Sequence, residues 1–408
     1  MEQVLIWGTQ KYQSAATLYC IPQGGRFDVD VDMKCTMPTA GTLSQLRVVI
    51  NGLMGGGNTL IITVRKNGVD QALTCTITDP AFTANDMVNS VAVAAGDLIN
   101  VSVACSGGNV KDFYMTMKFT GSVAGESIII SNCYDTPILG TEYTQVSTDH
   151  ADWTGVENDR REVIPTAGTI KSFYITLKNH TDSAGKGWKY TIRKNGIDTA
   201  VSVTILDGDL TGNSGANSVA VAAGDIVTLK VEPINAPDGV PRPTAHFWGL
   251  VFVPAVDGES IYMNCHPFAL PTGAANRNCP VSKGDVWDLA DAVRQALSLA
   301  VTMRKLYILL SAAPGAGKSY TFALRRNAAD TLLSVQIADA ATTGNDVAHD
   351  IAIIQDDKLC IGETPAGVPN AANAYWGFVG FITPPAPPTG IGDKSAHMGQ
   401  KLVSAGVL

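Results

Sequence analysis

The segment that most resembles a chemical site is Ala313–Ser319, which reads Ala-Pro-Gly-Ala-Gly-Lys-Ser. In a phosphate-binding P-loop, backbone N–H groups cradle the phosphates, the Lys reaches the β- and γ-phosphates, and the Ser holds Mg²⁺. Such a loop must be followed by a helix, whose N-terminus receives the phosphate. Here Tyr320–Leu324 alternates in the manner of a strand, and Ala312 stands where the motif begins with Gly. A P-loop nucleotide-binding protein is therefore only a remote alternative.

Carboxylates and histidines give no stronger indication of a site. Asp28, Asp30 and Asp32 alternate and would share one face of a strand, which predicts a solvated face. Calcium takes about six to eight oxygen ligands, more than one strand face supplies. The loop Asp207–Asp209 is a weak ion candidate on the same grounds. No His pair shows metalloprotease spacing, and no nucleophile elbow appears. We expect a protein that is not an enzyme and has no cofactor and no metal.

Composition limits the partners. The net charge is −8, without a basic run, which argues against nucleic acid. No apolar run approaches transmembrane length, and the first residues lack the basic and apolar regions of a signal peptide. The eight Cys show no zinc spacing, so free thiols are expected. A disulfide formed after cell lysis is the alternative.

The elements that must carry these residues are marked by a recurring hairpin signal. Arg-Lys-Asn-Gly occupies 65–68 and 193–196, and Arg-Arg-Asn-Ala occupies 325–328. Each copy lies between two runs with strand alternation, and Asn-Gly there predicts a type I′ turn, which needs positive φ. The Asn residues are spaced 128 and 132 apart (195 − 67 and 327 − 195). This is a threefold internal repeat. Because the third copy has lost its Gly, we expect a looser turn there.

A second turn follows each hairpin. It reads Ala-Gly-Asp at 95–97 and 223–225, and Asp-Asp at 356–357. Asn to Asp spans 30 residues in every copy (97 − 67, 225 − 195 and 357 − 327). The spacing predicts that these residues are structural turn positions: Asn67, Gly68, Gly96, Asp97, Asn195, Gly196, Gly224, Asp225 and Asn327.

The fold class expected is all-β, with three tandem antiparallel β-sandwich domains of jelly-roll type. The second repeat shows eight short strands: 126–132, 161–164, 169–178, 188–193, 199–206, 217–222, 226–232 and 246–253. The predicted domains are 1–123, 124–256 and 257–383, followed by a Pro-rich C-terminal arm at 384–408. That arm opens Pro-Pro-Ala-Pro-Pro, a semi-rigid spacer, and we expect it either to reach a neighbouring subunit or to be a frayed end.

Aromatic residues are candidates for interfaces or ligand platforms: Trp153, Trp248 and Trp376. Core packing is the alternative for each. Long early loops at 10–25, 134–158 and 266–285 could bind ligands or fill gaps between domains. Solvent-facing loop aromatics would favour ligand binding, and buried ones would favour a scaffold.

The repeated pattern resembles tandem β-sandwich repeats in structural proteins of tailed bacteriophages, namely capsid decoration, head-fibre and tail-associated proteins. The residues that carry the resemblance are Pro165–Thr169, Arg193–Gly196, Ala223–Asp225 and Trp248–Gly249, with counterparts in the other repeats. It implies a virion structural protein, an external capsid decoration protein first and a tail fibre or adhesin that binds host glycans second. The expected partners are other virion proteins. The chain would be either a homotrimer or a monomer whose three domains imitate a trimer.

Overall fold

The computed structural model describes residues 1–11, 17–24, 27–28, 33–52, 54–107, 112–147, 152–266, 269–273, 276–281, 287, 289, 295–296 and 300–382. The predicted C-terminal arm, Asp30 and Asp32 lie outside these ranges. Within them the structure is built from strands, with one 3-10 turn at Glu157–Arg160. In the same ranges no helix has the length and hydropathy needed to cross a membrane.

The strands fall into three groups, called sandwiches 1, 2 and 3. Sandwich 1 contains β1 (Glu2–Lys11), β2 (Thr17–Cys20), β3 (Cys35–Thr36), β4 (Gly41–Asn51), β5 (Thr59–Lys66), β6 (Val69–Thr78), β7 (Thr83–Val93), β8 (Leu98–Cys105) and β9 (Asp112–Gly121). Sandwich 2 contains β10 (Ser127–Cys133), β11 (Glu142–Thr144), β12 (Glu162–Val163), β13 (Gly168–Lys178), β14 (Gly187–Lys194), β15 (Ile197–Leu206), β16 (Thr211–Asn213), β17 (Ser218–Val221), β18 (Ile226–Ile234) and β19 (Ala245–Pro254). Sandwich 3 contains β20 (Glu259–His266), β21 (Arg277–Cys279), β22 (Gln295–Ala296), β23 (Val301–Leu310), β24 (Gly315–Arg326), β25 (Ala329–Asp339), β26 (Thr343–Ile353), β27 (Lys358–Ala366) and β28 (Ala374–Phe381).

Each sandwich pairs its strands in the same order. In sandwich 1 one sheet runs β1-β9-β4-β7 and the other β2-β8-β5-β6, with the short strand β3 added beside β8. The first main strand therefore pairs with the last, and the chain crosses between the two sheets as in a jelly roll. Sandwich 3 repeats this order. Sandwich 2 repeats it too, except that its strands β16 and β17 together replace the single strand equivalent to β7. The all-β sandwich prediction is confirmed, and each of the eight strands predicted for the second repeat is present; β11 and β16 were missed.

Alternation of side chains explains why these segments are strands. In β6 the apolar Leu73, Cys75 and Ile77 are buried while their neighbours are exposed. The equivalent strands β4, β13 and β23 each carry a bulge. At the bulges Gln45, Ser172 and Lys305 adopt φ near +50°. Such a bulge adds a residue to one strand and increases its twist.

The opening strands β1, β10 and β20 are buried on both faces. In β1, Leu5 and Trp7 pack in the core of sandwich 1, while Val4 and Ile6 pack in the core of sandwich 3. Ile128 and Ile130 of β10 pack likewise in the core of sandwich 1, and β20 contributes in the same way to sandwich 2. Each opening strand therefore joins its own sandwich to the preceding one.

Those contacts close a ring. The short strand β3 lies against β10, β13 and β19, and β12 lies against β20, β23 and β28. The third short strand, β22, lies against β1 and β9. Sandwich 1 thus packs on 2, sandwich 2 on 3, and sandwich 3 back on 1.

Candidate functional site

The three hairpin turns share one geometry. Asn67 and Gly68 have φ of 51° and 81°, the two positive values of a type I′ turn. In the third copy Asn327 and Ala328 have φ of 51° and 74°, and the flanking register is unchanged. The expectation of a looser third turn is therefore wrong. Ala328 fits because there is room for its side chain: a Cβ at the equivalent Gly68 would meet no atom within 4 Å. An Ala with left-handed backbone nevertheless carries strain.

The hairpin turn and the second turn of each sandwich are tied together by an Asn–Asp pair, here called the turn clasp. The Asn side chain donates from Nδ2 to the Asp carboxylate and accepts at Oδ1 from the backbone N–H that follows the Asp. The other Asp oxygen accepts a backbone N–H of its own turn. The Nδ2···Oδ1 distances are 2.8 Å for Asn67–Asp97, 2.7 Å for Asn195–Asp225 and 2.6 Å for Asn327–Asp357.

The turn clasp gives the 30-residue spacing its physical cause, because both turns must meet at one end of the sandwich. Gly96 and Gly224, with φ of 87° and 88°, allow the second turn to reverse just before each Asp. Burial opposes ionisation of Asp225, but hydrogen bonds from Ala222 N–H and Asn195 hold its pKa below the usual value. The clasp of sandwich 2 therefore favours the ionised form of its carboxylate.

Tyr320–Leu324 lies in strand β24, as the alternation predicted, and the P-loop-like segment leads into that strand, which begins at Gly315. Its Gly317 N–H donates to the Asp339 carboxylate at 2.7 Å. The corresponding turns of the other sandwiches make the same bond. The Gly55 N–H donates to the Asp79 carboxylate, and the Gly185 N–H donates to that of Asp207. The N–H group that a phosphate would need already serves a carboxylate, and a strand rather than a helix follows it.

The three tryptophans singled out in the sequence lie inside the sandwiches. Trp248 and Trp376 are fully buried, and their indole N–H groups donate to the carbonyls of Val146 and Val281. Trp153 is 6% exposed and packs against Tyr190. Rings in these places are core residues and offer no face to a ligand in solution.

Two tyrosines from the short strands β2 and β11 stack on the hairpin arginines. The Arg65 guanidinium lies 5.5 Å from the centre of the Tyr19 ring, and Arg193 lies 5.6 Å from that of Tyr143. Both rings are half-buried. Their place is structural, since cation–π stacking joins the short strand to the hairpin. Tyr12 and Phe268 lie outside the described residues.

A threonine–glutamate contact spans two of the junctions. Thr39 of sandwich 1 donates to Glu126 of sandwich 2 at 2.6 Å, and Lys171 approaches the same carboxylate at 2.8 Å. Thr166 of sandwich 2 donates to Glu259 of sandwich 3 at 2.6 Å, with Lys305 at 2.6 Å. Both carboxylates are nearly or fully buried, and their charge-assisted bonds are of the strong kind: Glu126 holds two, and Glu259 holds three because Arg304 also donates to it at 2.6 Å.

Glycines in the closing strands β19 and β28 allow close approach. A Cβ at Gly249 would lie 2.1 Å from the carbonyl oxygen of Thr36, and one at Gly377 would lie 2.3 Å from that of Val163. In β9 the equivalent position is Thr116, by register. The backbones of neighbouring sandwiches therefore touch at the first two junctions.

The junction between sandwiches 3 and 1 carries a different pair. Arg47 donates to both carboxylate oxygens of Asp356, at 2.5 and 2.7 Å. By strand register, Arg47 stands where sandwiches 2 and 3 have Tyr174 and Tyr307. Asp356, with φ of 70°, stands where the second turns have Gly96 and Gly224. At the other two junctions these positions hold Tyr and Gly. At the junction of sandwiches 3 and 1, which no peptide linker spans, they hold Arg and Asp.

A groove of about 410 Å³ opens beside the hairpin turn of sandwich 2. Its lining residues include both polar and apolar groups: Glu157, Asn158, Arg161, Asn195, Gly196, Ile226 and Thr228. Its volume falls in the range of small-molecule sites, about 300–1,000 Å³. Glu157 and Asn158 belong to the early loop of sandwich 2, one of the loops that could bind ligands or fill gaps between domains.

Sandwich 3 buries a carboxyl group in its core. Glu363 is fully buried at a position where register places Val103 and Val231 in the other sandwiches. Its two oxygens have no hydrogen-bond partner among the described residues. Burial raises its pKa to about 8, against a smaller opposing effect of Arg277.

Metal ligands and disulfides are both absent from the described residues. In those ranges no group of three or more His, Cys, Asp or Glu is placed to hold a metal ion. The eight Cys are buried free thiols, as expected. Burial raises the pKa of Cys75 to about 12, so thiolate chemistry is suppressed there.

Comparison of the chain with known protein families and with curated proteins finds no match in either.

Proposed function

We propose that this chain is a non-enzymatic structural protein of a virion, with an external capsid decoration or head-associated role. The observation that supports it is the closed ring of jelly rolls, in which every opening strand completes the core of the preceding sandwich. Such a unit presents three similar faces around one centre while remaining a single chain. That shape suits a threefold or quasi-threefold position on a shell.

The same ring makes the monomer our proposal for the oligomeric state. In a homotrimer built on the same contacts, each short strand would lie on another copy, whereas here it already lies on the next sandwich of its own chain. Light scattering on the purified protein should return the mass of one chain, 42.9 kDa. A stable species three times as heavy would contradict the proposal.

The virion role is tested on particles. Particles made in cells that carry the gene, and particles made without it, should differ by this chain in mass spectrometry. Purified protein added to the deficient particles should bind in a fixed number per shell and raise the temperature at which they release nucleic acid. Failure to bind would refute the decoration role, and binding only at the tail would favour a fibre.

A second candidate is glycan binding by an adhesin, and the groove beside Asn195 and Gly196 is the observation that favours it. Amides, a hydroxyl and a guanidinium are the groups that recognise sugar hydroxyls. Binding on a glycan array should be lost with Arg161→Ala and kept with Lys318→Ala, a matched change on a different sandwich. An array with no signal from the unmodified protein would reject this candidate.

A further inference from the structure

The Asn-Gly hairpin turns bring together a reactive dipeptide and a group that restrains it. In an unrestrained Asn-Gly, the backbone nitrogen of Gly attacks the Asn side-chain carbon Cγ and expels ammonia, which leaves a succinimide ring. Water then opens the ring to Asp or its β-linked isomer, so the balance is Asn plus water giving Asp plus ammonia. Glycine favours the attack because it has no side chain to obstruct it.

The turn clasp holds both ends of the amide that would react. In sandwich 1 the Nδ2 of Asn67, the leaving nitrogen, donates to Asp97 at 2.8 Å. The Oδ1 accepts from the Leu98 N–H, also at 2.8 Å. In sandwich 2 the same two bonds join Asn195 to Asp225 and to the N–H of Ile226. Both bonds must be broken before Cγ can turn toward the following nitrogen.

We propose that Asn67 and Asn195 are deamidation sites that the turn clasp keeps closed in the folded protein. The loss of two hydrogen bonds corresponds to a rate difference of at least about tenfold between the clasped and unclasped Asn. Deamidation of Asn67 would place a new carboxylate against that of Asp97, where a donor used to be, and like charges at that distance repel. The clasp cannot re-form, so the modification records past opening of the turn.

The third sandwich provides an internal comparison. Asn327 has the same two bonds, to Asp357 and to the N–H of Lys358, but Ala328 follows it instead of Gly. The methyl group of Ala obstructs the attacking nitrogen. Asn327-Ala328, the dipeptide expected to deamidate slowly, lies in sandwich 3. The second turn of the same sandwich carries Asp356, which pairs with Arg47 across the junction that closes the ring.

The test is peptide mass spectrometry after incubation at neutral pH, folded and in urea. In urea, Asn67 and Asn195 should gain one mass unit together, with Asn327 far behind. In the folded protein all three should be protected. Equal rates for Asn67 in the two conditions would overturn the proposal.

A variant separates the clasp from global stability. Asp97→Ala should raise deamidation of Asn67 in the folded protein by about tenfold and leave Asn195, in the same molecule, unchanged. A rise at both sites would mean general unfolding, and Asp225→Ala, which should act on Asn195 alone, then repeats the test in the other sandwich. If neither variant raises the rate at its own Asn above that at the other, the clasp does not protect and the proposal fails.

Discussion

The Arg47–Asp356 pair can be dissected by a double-mutant cycle that the chain itself supplies. Arg47→Tyr and Asp356→Gly introduce the residues found at the equivalent positions of the other sandwiches, such as Tyr307 and Gly224. Each single change leaves one charge without its partner. The double change rebuilds the Tyr–Gly combination and should restore much of the stability.

The two single changes should differ in size. The Arg47 side chain is 10% exposed, and Asp356 is 47% exposed. Asp356→Gly leaves the nearly buried Arg47 cation unpaired. We expect this to cost about 2 kcal/mol, less than breaking a fully buried pair, because solvent partly screens this one. Relief of the left-handed backbone at φ 70° returns up to about 1 kcal/mol. Arg47→Tyr leaves a carboxylate that water reaches, at about 1 kcal/mol. We therefore expect a coupling energy of about 1–2 kcal/mol.

The assay is urea unfolding followed by tryptophan fluorescence at low and high salt. The control is the exposed pair Lys186–Asp238, at 2.7 Å and 32% and 45% exposed, for which solvent screening should make the coupling smaller than that of Arg47 with Asp356. If the coupling of Arg47 with Asp356 is no larger than that of the control, or if the double variant loses the sum of the single losses, the reasoning is refuted.

Three further predictions concern single positions. Ala328→Gly should raise the free energy of unfolding by about 0.5–1 kcal/mol because Ala328 has φ of 74°, and an unchanged urea midpoint would argue against strain. The pKa of Glu363 is about 8 when folded against an ordinary 4.5, so the folded state retains a proton that the unfolded state loses as pH rises. The contribution of Glu363 to stability should fall by about 3 kcal/mol from pH 4.5 to 7, and Glu363→Val should remove that part of the fall in urea titrations at each pH, leaving the part due to Glu162, whose pKa burial raises to about 7. Thr166→Val should cost about 1–2 kcal/mol through the lost bond to Glu259; an unchanged hydrogen-exchange rate in β20 would contradict this.

Local chemistry in the sequence was enough to predict the hairpins and the fold class. Asn-Gly between alternating runs predicts a type I′ turn because few other dipeptides tolerate two positive φ values. The spacing from Asn67 to Asp97 indicated a shared structure, although not the hydrogen bonds that cause it. Ala328 was misjudged because register and the clasp, both set by the rest of the sandwich, outweigh one residue's turn preference.

The junctions between sandwiches were beyond sequence reasoning. Arg47 and Asp356 are 309 positions apart, and nothing in either neighbourhood indicates the other. One signal was present and overlooked. The run Ile128–Ile130 is apolar at every position, which is typical of a strand buried on both faces rather than one with a solvent side. Glu363 could likewise have been noticed, since the repeat aligns it with two valines.

Joining the three sandwiches in one chain frees each copy to change by itself. In an assembly of three identical subunits, any substitution appears three times, so an Arg–Asp pair would have to suit every contact and a core acid would burden every core. Here the charged pair occurs where no linker helps closure, and Glu363 replaces a buried Val in sandwich 3 alone, because the equivalent positions of sandwiches 1 and 2 keep Val103 and Val231. A ring of this kind can hold a single specialised face on an otherwise threefold body.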